Sequence, residues 1–457
     1  MLRAIKTILP LLFLAVATPN ARAQSATNDS LTVDQPTTDF YTTNGYQPGQ
    51  LFPSVSPIST LSATDFNQGL IADPLLLLQG NIPGVQIYNR GGNPNTKALL
   101  RVRGLSGLAQ SREPLYVIDG IPGLTIDNVD PTDITSISVL RDAAAQAVYG
   151  MRAANGVVVI NTRTAAFEQD TFQITYHGQL ASSQVTGLAP TLSAAEFRRA
   201  GGLDLGGSTD WQEQITQRGV SQVHALALSG QRNKTVFHLS GNYRRTEGIL
   251  KNSGFQRYNA RLHFETSLGQ KWHLRTNAAF SDNQQQLGFE DAFQQALSFN
   301  PTIPVDGSDV PFAFDEDRFD GFYENIGLFG SFNPLAIVEQ NERNQRTQAL
   351  TASAHLQYDL GKNLNLNARY SLQRHFQNRR TRYAPTAYYG GNANSPLAMR
   401  RGRAILLDRE DNFTLLEGFL NWQQELRSTR FTLTAGAALH DGRYTEDYRQ
   451  LRGFDRD

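Results

Sequence analysis

The chain has no cysteine. That absence excludes disulfide frameworks, thiolate metal sites, cysteine nucleophiles and a lipid-modified N-terminal cysteine. Excess charge is also missing: 42 Lys plus Arg balance 42 Asp plus Glu, so there is no basic face of the kind nucleic acid requires. Beyond the N-terminus there is no apolar run of 18 residues, which excludes a helical membrane span. Catalytic signatures are wanting too. There is no HExxH, no Gly-x-Ser-x-Gly elbow and no phosphate-binding Gly-Lys-Ser/Thr loop. DEDRFDG (315–321) has the look of a calcium loop, but Phe319 takes a ligand position. The eight histidines are scattered. The chain is therefore expected to be no enzyme and to carry no metal or cofactor.

What is present begins with MLRAIKTILPLLFLAVATPNARAQ. Arg3 and Lys6 precede an apolar core at 8–17, and Ala21-Arg22-Ala23 fits a cleavage site. We read 1–23 as an export signal. If an exported chain without apolar helices enters a membrane, it must do so as a β-barrel, the other structure that satisfies its backbone in lipid.

Residues 24–60 are polar and read as a flexible tether. Within it DSLTVDQ (29–35) is a short extended island, with Leu31 and Val33 alternating against polar neighbours. From 61 to 165 the chain turns compact. GVQIY, ALLRVRG, PLYVIDG, ITSISVL and GVVVINT are strand-sized apolar runs of the kind buried on both faces. Helical segments are expected at 74–79 and 142–149, giving a small α+β domain. Asp142 is placed to cap the second helix, and Asn155-Gly156 to turn the chain into Val157–Ile160.

From about 171 the pattern is period 2. RYNARLHFETSL places Tyr258, Ala260, Leu262 and Phe264 on one face, with Asn259, Arg261, His263 and Glu265 on the other. WHLRTNAAFS, LTASAHLQYDL, LNLNARYSLQ and FTLTAGAALH repeat this over roughly ten residues, the length of a tilted membrane strand. His238, His273, His355 and His440 share the polar phase. Short turns at 231–234, 268–271, 360–363 and 427–430 alternate with long loops at 181–220, 246–254, 284–346 and 378–409. Outer-membrane barrels are built in that way. About nine strands precede Asp457, fewer than a single-chain barrel of this kind needs, so the chain is expected to be part of a longer protein.

RVRGLSG (101–107), PLYVIDGIPG (114–123) and DPTDITSISVLRDAAAQAVYGMRAANGVVVINTR (130–163) resemble the plug signature of TonB-dependent outer-membrane receptors, in the form of the SusC/RagA subgroup of Bacteroidota. TDWQEQI, FQRYNARL and ALSFNPTIPV resemble that subgroup's early barrel. The resemblance implies an N-terminal plug (61–165) followed by an antiparallel transmembrane barrel (166–457). About nine of an expected 22 strands lie in this chain. It implies uptake of a glycan or oligopeptide with a SusD-like surface lipoprotein as lid and TonB–ExbB–ExbD as energy source, in the outer membrane with the tether in the periplasm. A siderophore or cobalamin receptor, a signal transducer and a non-transporting fragment share the fold.

By that resemblance Asp29, Ser30, Leu31, Thr32 and Val33 form the TonB box, an extended segment suited to adding onto a partner's sheet edge. Arg101, Arg103, Arg141, Asp142 and Arg152 are expected at the plug–barrel contact, where a polar lumen faces the plug. For solute contact the sequence offers Asn89, Arg90, Asn93 and Arg112 on plug loops, with Phe322, Tyr323, Tyr388 and Tyr389 on aromatic outer loops.

Overall fold

The computed structural model describes residues 58–89, 91–104, 113–126, 129–141, 149–164, 170–305, 318–324, 332–390, 402–426 and 429–454. The export signal, the tether as far as residue 57, the TonB-box segment 29–35, Arg90, Arg112 and Asp142 lie outside the described residues; residues 58–60, expected to be tether, instead open the first plug strand.

The first unit is built on a five-stranded sheet. Its strands β1 (Ile58–Ser62), β6 (Ile134–Leu140), β7 (Val157–Thr162), β4 (Leu115–Ile118) and β5 (Ile121–Pro122) lie side by side in that order. β4 and β7 run parallel and the other pairs antiparallel. The central strands read as unbroken apolar runs because both faces are covered: Ile137, Val139, Val158 and Ile160 are fully enclosed. GVQIY and ALLRVRG depart from that expectation. They pair with each other as a separate hairpin, β2 (Val85–Tyr88) and β3 (Leu99–Val102), with alternating burial. The segment Pro74–Leu78 is a 3-10 turn capped by Asp73, and it presses Leu75, Leu77 and Leu78 onto the same core. Gly156 takes a φ of +89° in the turn before β7. A Cβ there would stand 3.2 Å from the Leu140 carbonyl and from Val102, so glycine is required for conformation and for space.

The second unit is a nine-stranded antiparallel meander. Its strands are β8 (Thr171–Ser183), β9 (Gly219–Arg232), β10 (Thr235–Glu247), β11 (Ser253–Leu268), β12 (Trp272–Leu287), β15 (Glu342–Gly361), β16 (Leu364–Tyr383), β17 (Gly402–Leu426) and β18 (Thr429–Phe454), while β13 (Arg318–Phe319) and β14 (Phe322–Tyr323) pair with each other between β12 and β15. The turns at 233–234, 269–271 and 362–363 fall inside the segments expected for them, and 427–428 lie outside the described residues. Among the described residues the sheet is open, with β8 and β18 as its edges.

The two faces separate as the period predicts. Leu239, Tyr258, Leu262, Trp272, Phe280, Leu356, Leu366, Tyr370, Leu416, Leu420 and Trp422 are exposed on one face. His238, Ser240, Asn242, Arg244, Arg257, Asn259, Arg261 and His263 are buried on the other, toward the plug. On β12 the apolar phase runs from Trp272 to Phe280 and then gives way to Asp282 and Gln284. That is the reach of a membrane-crossing strand.

The strands are longer than the periodicity suggests: β17 has 25 residues and β18 has 26. Beyond the apolar band both faces are polar, as in Asn283–Gln286 and Arg343–Arg346, and the period-2 signal vanishes while the ladder continues. The long loops are shorter accordingly.

Candidate functional site: the plug–wall contact

The residues joining plug to wall follow from two turns in the plug. Asp119 follows β4 at a φ of +48°. Its Oδ1 accepts from the Thr162 amide at 2.8 Å, which pins the end of β7 to the end of β4. Asp130 opens the 3-10 turn Pro131–Asp133, where Pro131 suits the first turn position and the Thr132 amide donates to Asp130 Oδ1 at 3.0 Å. The DPTD tetrapeptide thus fixes two carboxylates, Asp130 and Asp133, at the plug surface.

The wall meets them with guanidiniums. Arg244 on β10 donates from Nε and Nη2 to the two oxygens of Asp130, each at 3.2 Å. Arg257, which lies opposite Arg244 on β11, donates from Nη2 to Asp130 Oδ2 at 2.7 Å. One turn of the wall lower, Arg261 donates to Asp119 Oδ2 at 3.1 Å and stands 3.7 Å from Asp133, which also accepts from Ser240 at 3.0 Å. Asp130 is 0% exposed and Arg244 1%.

Burial alone would push the Asp130 carboxyl up. The Arg244 and Arg257 guanidiniums outweigh it and hold the group well below the carboxylate range, so it stays ionised. Asp133 ends on the opposite side. Burial and the neighbouring Asp130 charge raise it more than Arg261 lowers it. The sign of the pH effect therefore differs between them. The Asp130 contribution is present above the ordinary value of 3.8 and lost only in stronger acid, whereas ionising Asp133 as pH rises works against the seated plug.

A second contact sits at the outer end of the wall. Asn93 donates to Glu290 at 2.7 Å and to the Leu287 carbonyl at 3.1 Å. Asn95 donates to the Gln286 carbonyl at 2.6 Å and accepts from Gln285 at 3.2 Å. Its neighbour Pro94 packs beside Gly248.

Arg141, expected at the wall, donates within the plug to the Pro83 carbonyl and, at 2.9 Å, to the Ser59 hydroxyl. Arg101 is half-buried on β3 opposite Gln86, and Arg103 and Arg152 are exposed. Asn93 spends its amide on the wall instead of facing solute, while Asn89 is exposed at the end of β2.

The aromatic residues of the outer loops build a core of their own. Helices α1 (Ala194–Arg199), α2 (Trp211–Ile215), α3 (Asp291–Ser298) and α4 (Pro334–Gln340) lie in these loops. Trp211, Phe289, Phe299, Phe332, Ile337 and Tyr388 form one apolar cluster there, with Phe322, Tyr323 and Tyr389 packed against it. Tyr388 is buried, and the Tyr389 hydroxyl donates to Asp291 at 2.6 Å. Phe322, Tyr323 and Tyr389 stay partly exposed at the margin of this cluster.

Glu324 is buried in these loops beneath α4. It accepts from the Asn333 amide at 2.7 Å, and its other oxygen meets no donor among the described residues. Burial pushes its carboxyl up to about 8 from an ordinary 4.5, which the Asn333 amide offsets only in part. A raised acid makes the folded form the better proton binder. Loop stability should therefore be greatest below pH 4.5, fall by a few kcal/mol as pH rises to about 8, and then level off. Opening free energies of the α4 amides, measured by hydrogen exchange across that range, check this. Glu324→Gln should flatten the profile, and a variant as pH-dependent as the parent would contradict it.

The family of TonB-dependent receptor plug domains matches residues 52–157. TonB-dependent receptor SusC of Bacteroides thetaiotaomicron is 29% identical over 340 residues, covering 66% of this chain and 33% of its own length. TonB-dependent receptor P3 of Formosa agariphila is 24% identical over 453 residues, covering 94% of this chain and 43% of its own. The chain thus spans between a third and a half of the length of these relatives. The RagAB peptide importer in its open-open state superposes with a TM-score of 0.73 at 20% identity, over 90% of this chain and 50% of that one. The ferric citrate transporter FecA reaches 0.53 at 15% identity, over 88% and 49%. At such identities the solved structures speak for the fold alone. With the plug domain matched and SusC-type relatives along the sequence, the chain carries a TonB-dependent receptor plug domain and resembles the SusC/RagA-type TonB-dependent receptors, which are outer-membrane β-barrel proteins and not enzymes.

Proposed function

We propose that the receptor to which this chain belongs imports a glycan or an oligopeptide across the outer membrane. TonB–ExbB–ExbD would supply the energy and a SusD-like lipoprotein would cover the outer mouth. The observation that carries this reading is the ionic seat of the plug. Asp130 lies between Arg244 and Arg257 in a polar lumen wall, a contact that regains hydration when parted and leaves no apolar surface exposed. A plug that must leave its seat and return is served by such a contact. RagAB, which shares this fold, is a peptide importer.

In this reading Asp29, Ser30, Leu31, Thr32 and Val33 are the segment that TonB grips, as a strand added to its sheet edge. Plug loops near Asn89 would face the solute. Deleting 29–35 from the full-length receptor should abolish energy-dependent uptake of labelled oligosaccharide or oligopeptide and leave surface binding intact. Uptake at the parental rate would refute the assignment. Which of the two solutes competes for surface binding decides the substrate class.

A further inference from the structure

Beside the ionic seat, plug and wall enclose a cavity of about 410 Å³. On the wall side the space comes from small side chains. Register sets Gln173, Ser229 and His238 side by side across β8, β9 and β10, with Ala227 between Thr175 and Ser240 in the next row. The lumen-facing positions of β9 here are alanine and serine, flanked by longer neighbours, so a hollow is left over that strand.

The plug side presents Arg163, the residue that follows β7. Its amide donates to the Asp133 carbonyl at 2.8 Å and its Nε to the Thr132 carbonyl at 3.0 Å. Those two bonds fix the stem and leave the terminal nitrogens with no partner among the described residues. Arg163 is exposed at the mouth of the cavity, which gives an ion its entry. Across from it His238 is 3% exposed. The His238 Nδ1 shares a hydrogen bond with the Ser229 hydroxyl at 2.7 Å, and its Nε2 meets no partner among the described residues. Asp133 is the one carboxylate in the lining. It accepts from Ser240 at 3.0 Å and lies 3.7 Å from Arg261, so its charge is turned to the wall, and Arg163 acts on it through space without an ion pair.

A guanidinium fork with free donors, facing a buried imidazole that lacks a partner and the amide of Gln173, is the donor set of an oxyanion site. A cation would meet Arg163 head on, and a neutral sugar would leave its charge unbalanced. We propose that this cavity binds a small oxyanion, a phosphate or carboxylate group, which bridges Arg163 of the plug to His238 and Gln173 of the wall and helps hold the plug in its seat. A group bound only while the plug is seated stabilises that state by linkage. Such a site goes beyond the import reading and stands whichever solute the receptor carries.

Hydrogen exchange of the full-length receptor in detergent tests it, with sodium phosphate, acetate and chloride compared at equal ionic strength. The β7 amides of Val158 and Ile160 should exchange about tenfold more slowly at saturating phosphate or acetate than in chloride. Slowing by phosphate alone assigns a phosphoryl group and slowing by acetate alone a carboxylate, and either supports the site. Arg163→Gln should abolish the slowing. Because Arg163 also holds the Thr132 carbonyl, a second variant acts from the wall: Ala227→Leu fills the hollow without touching a charge, and should abolish the slowing while leaving the rate in chloride unchanged. Equal exchange in the three salts would overturn the proposal. So would slowing that survives in both variants, which would be a general salt effect only.

Discussion

Replacing Asp130 with alanine lowers the opening free energy of the plug by about 3–5 kcal/mol, the cost of leaving buried guanidiniums without their counter-charge. The readout is hydrogen exchange at β7, where Val158 and Ile160 are fully enclosed and exchange only when the plug core opens. The size follows from the surroundings. Arg244 is 1% exposed and Arg257 7%, so neither recovers hydration in the variant while the plug stays seated. Asp130 also holds the Thr132 amide and hydroxyl, at 3.0 Å and 2.7 Å, so alanine frees the turn that presents Asp133. Asp130→Asn keeps that turn and loses only charge, so it should fall between the parent and alanine. An alanine variant within about 1 kcal/mol of the parent, the worth of an exposed ion pair, would mean that the contact does not seat the plug.

A single arginine on the outward face at mid-wall has the next largest effect. Leu262→Arg places a charge midway between the Trp272 end of the apolar band and Tyr258, where lipid surrounds the wall, and should cost about 2–4 kcal/mol of barrel stability in a bilayer. Gln284→Arg, on the same face in the polar rows above, should cost at most about 1 kcal/mol. Urea titration of the receptor folded in vesicles compares them. Equal costs would mean that the band from Trp272 to Phe280 does not lie in lipid.

Strand identity, facing and the alternation of short and long connections were legible in the sequence because a wall with lipid on one side and a polar lumen on the other imposes period 2. Arg257, Asn259, Arg261 and His263 share one phase for that reason. The upper halves of β12, β15 and β16 were not legible, since water on both faces of Gln284–Gln286 or Arg343–Arg346 removes the alternation while the backbone ladder runs on. The acids that meet the wall were not legible: the sequence points to arginines flanking the plug strands and to Asp142, while the wall itself carries the arginines that meet Asp119, Asp130 and Asp133. The signal available was DPTD itself: a proline-fixed turn holding two acids, beside a lumen phase rich in arginine. The outer aromatics were ambiguous because a loop core and a sugar platform draw on the same residues; only the burial of Phe289, Phe332 and Tyr388 separates them.

Direct coupling between Asp130 and the wall is measured by a double-mutant cycle of Asp130→Ala with Arg244→Met, read from β7 hydrogen exchange. Methionine fills much of the arginine stem's volume without its charge, so the double variant should recover much of the loss, with a coupling energy of about 2 kcal/mol or more. Additive effects, with a coupling energy near zero, would show that the plug is held elsewhere.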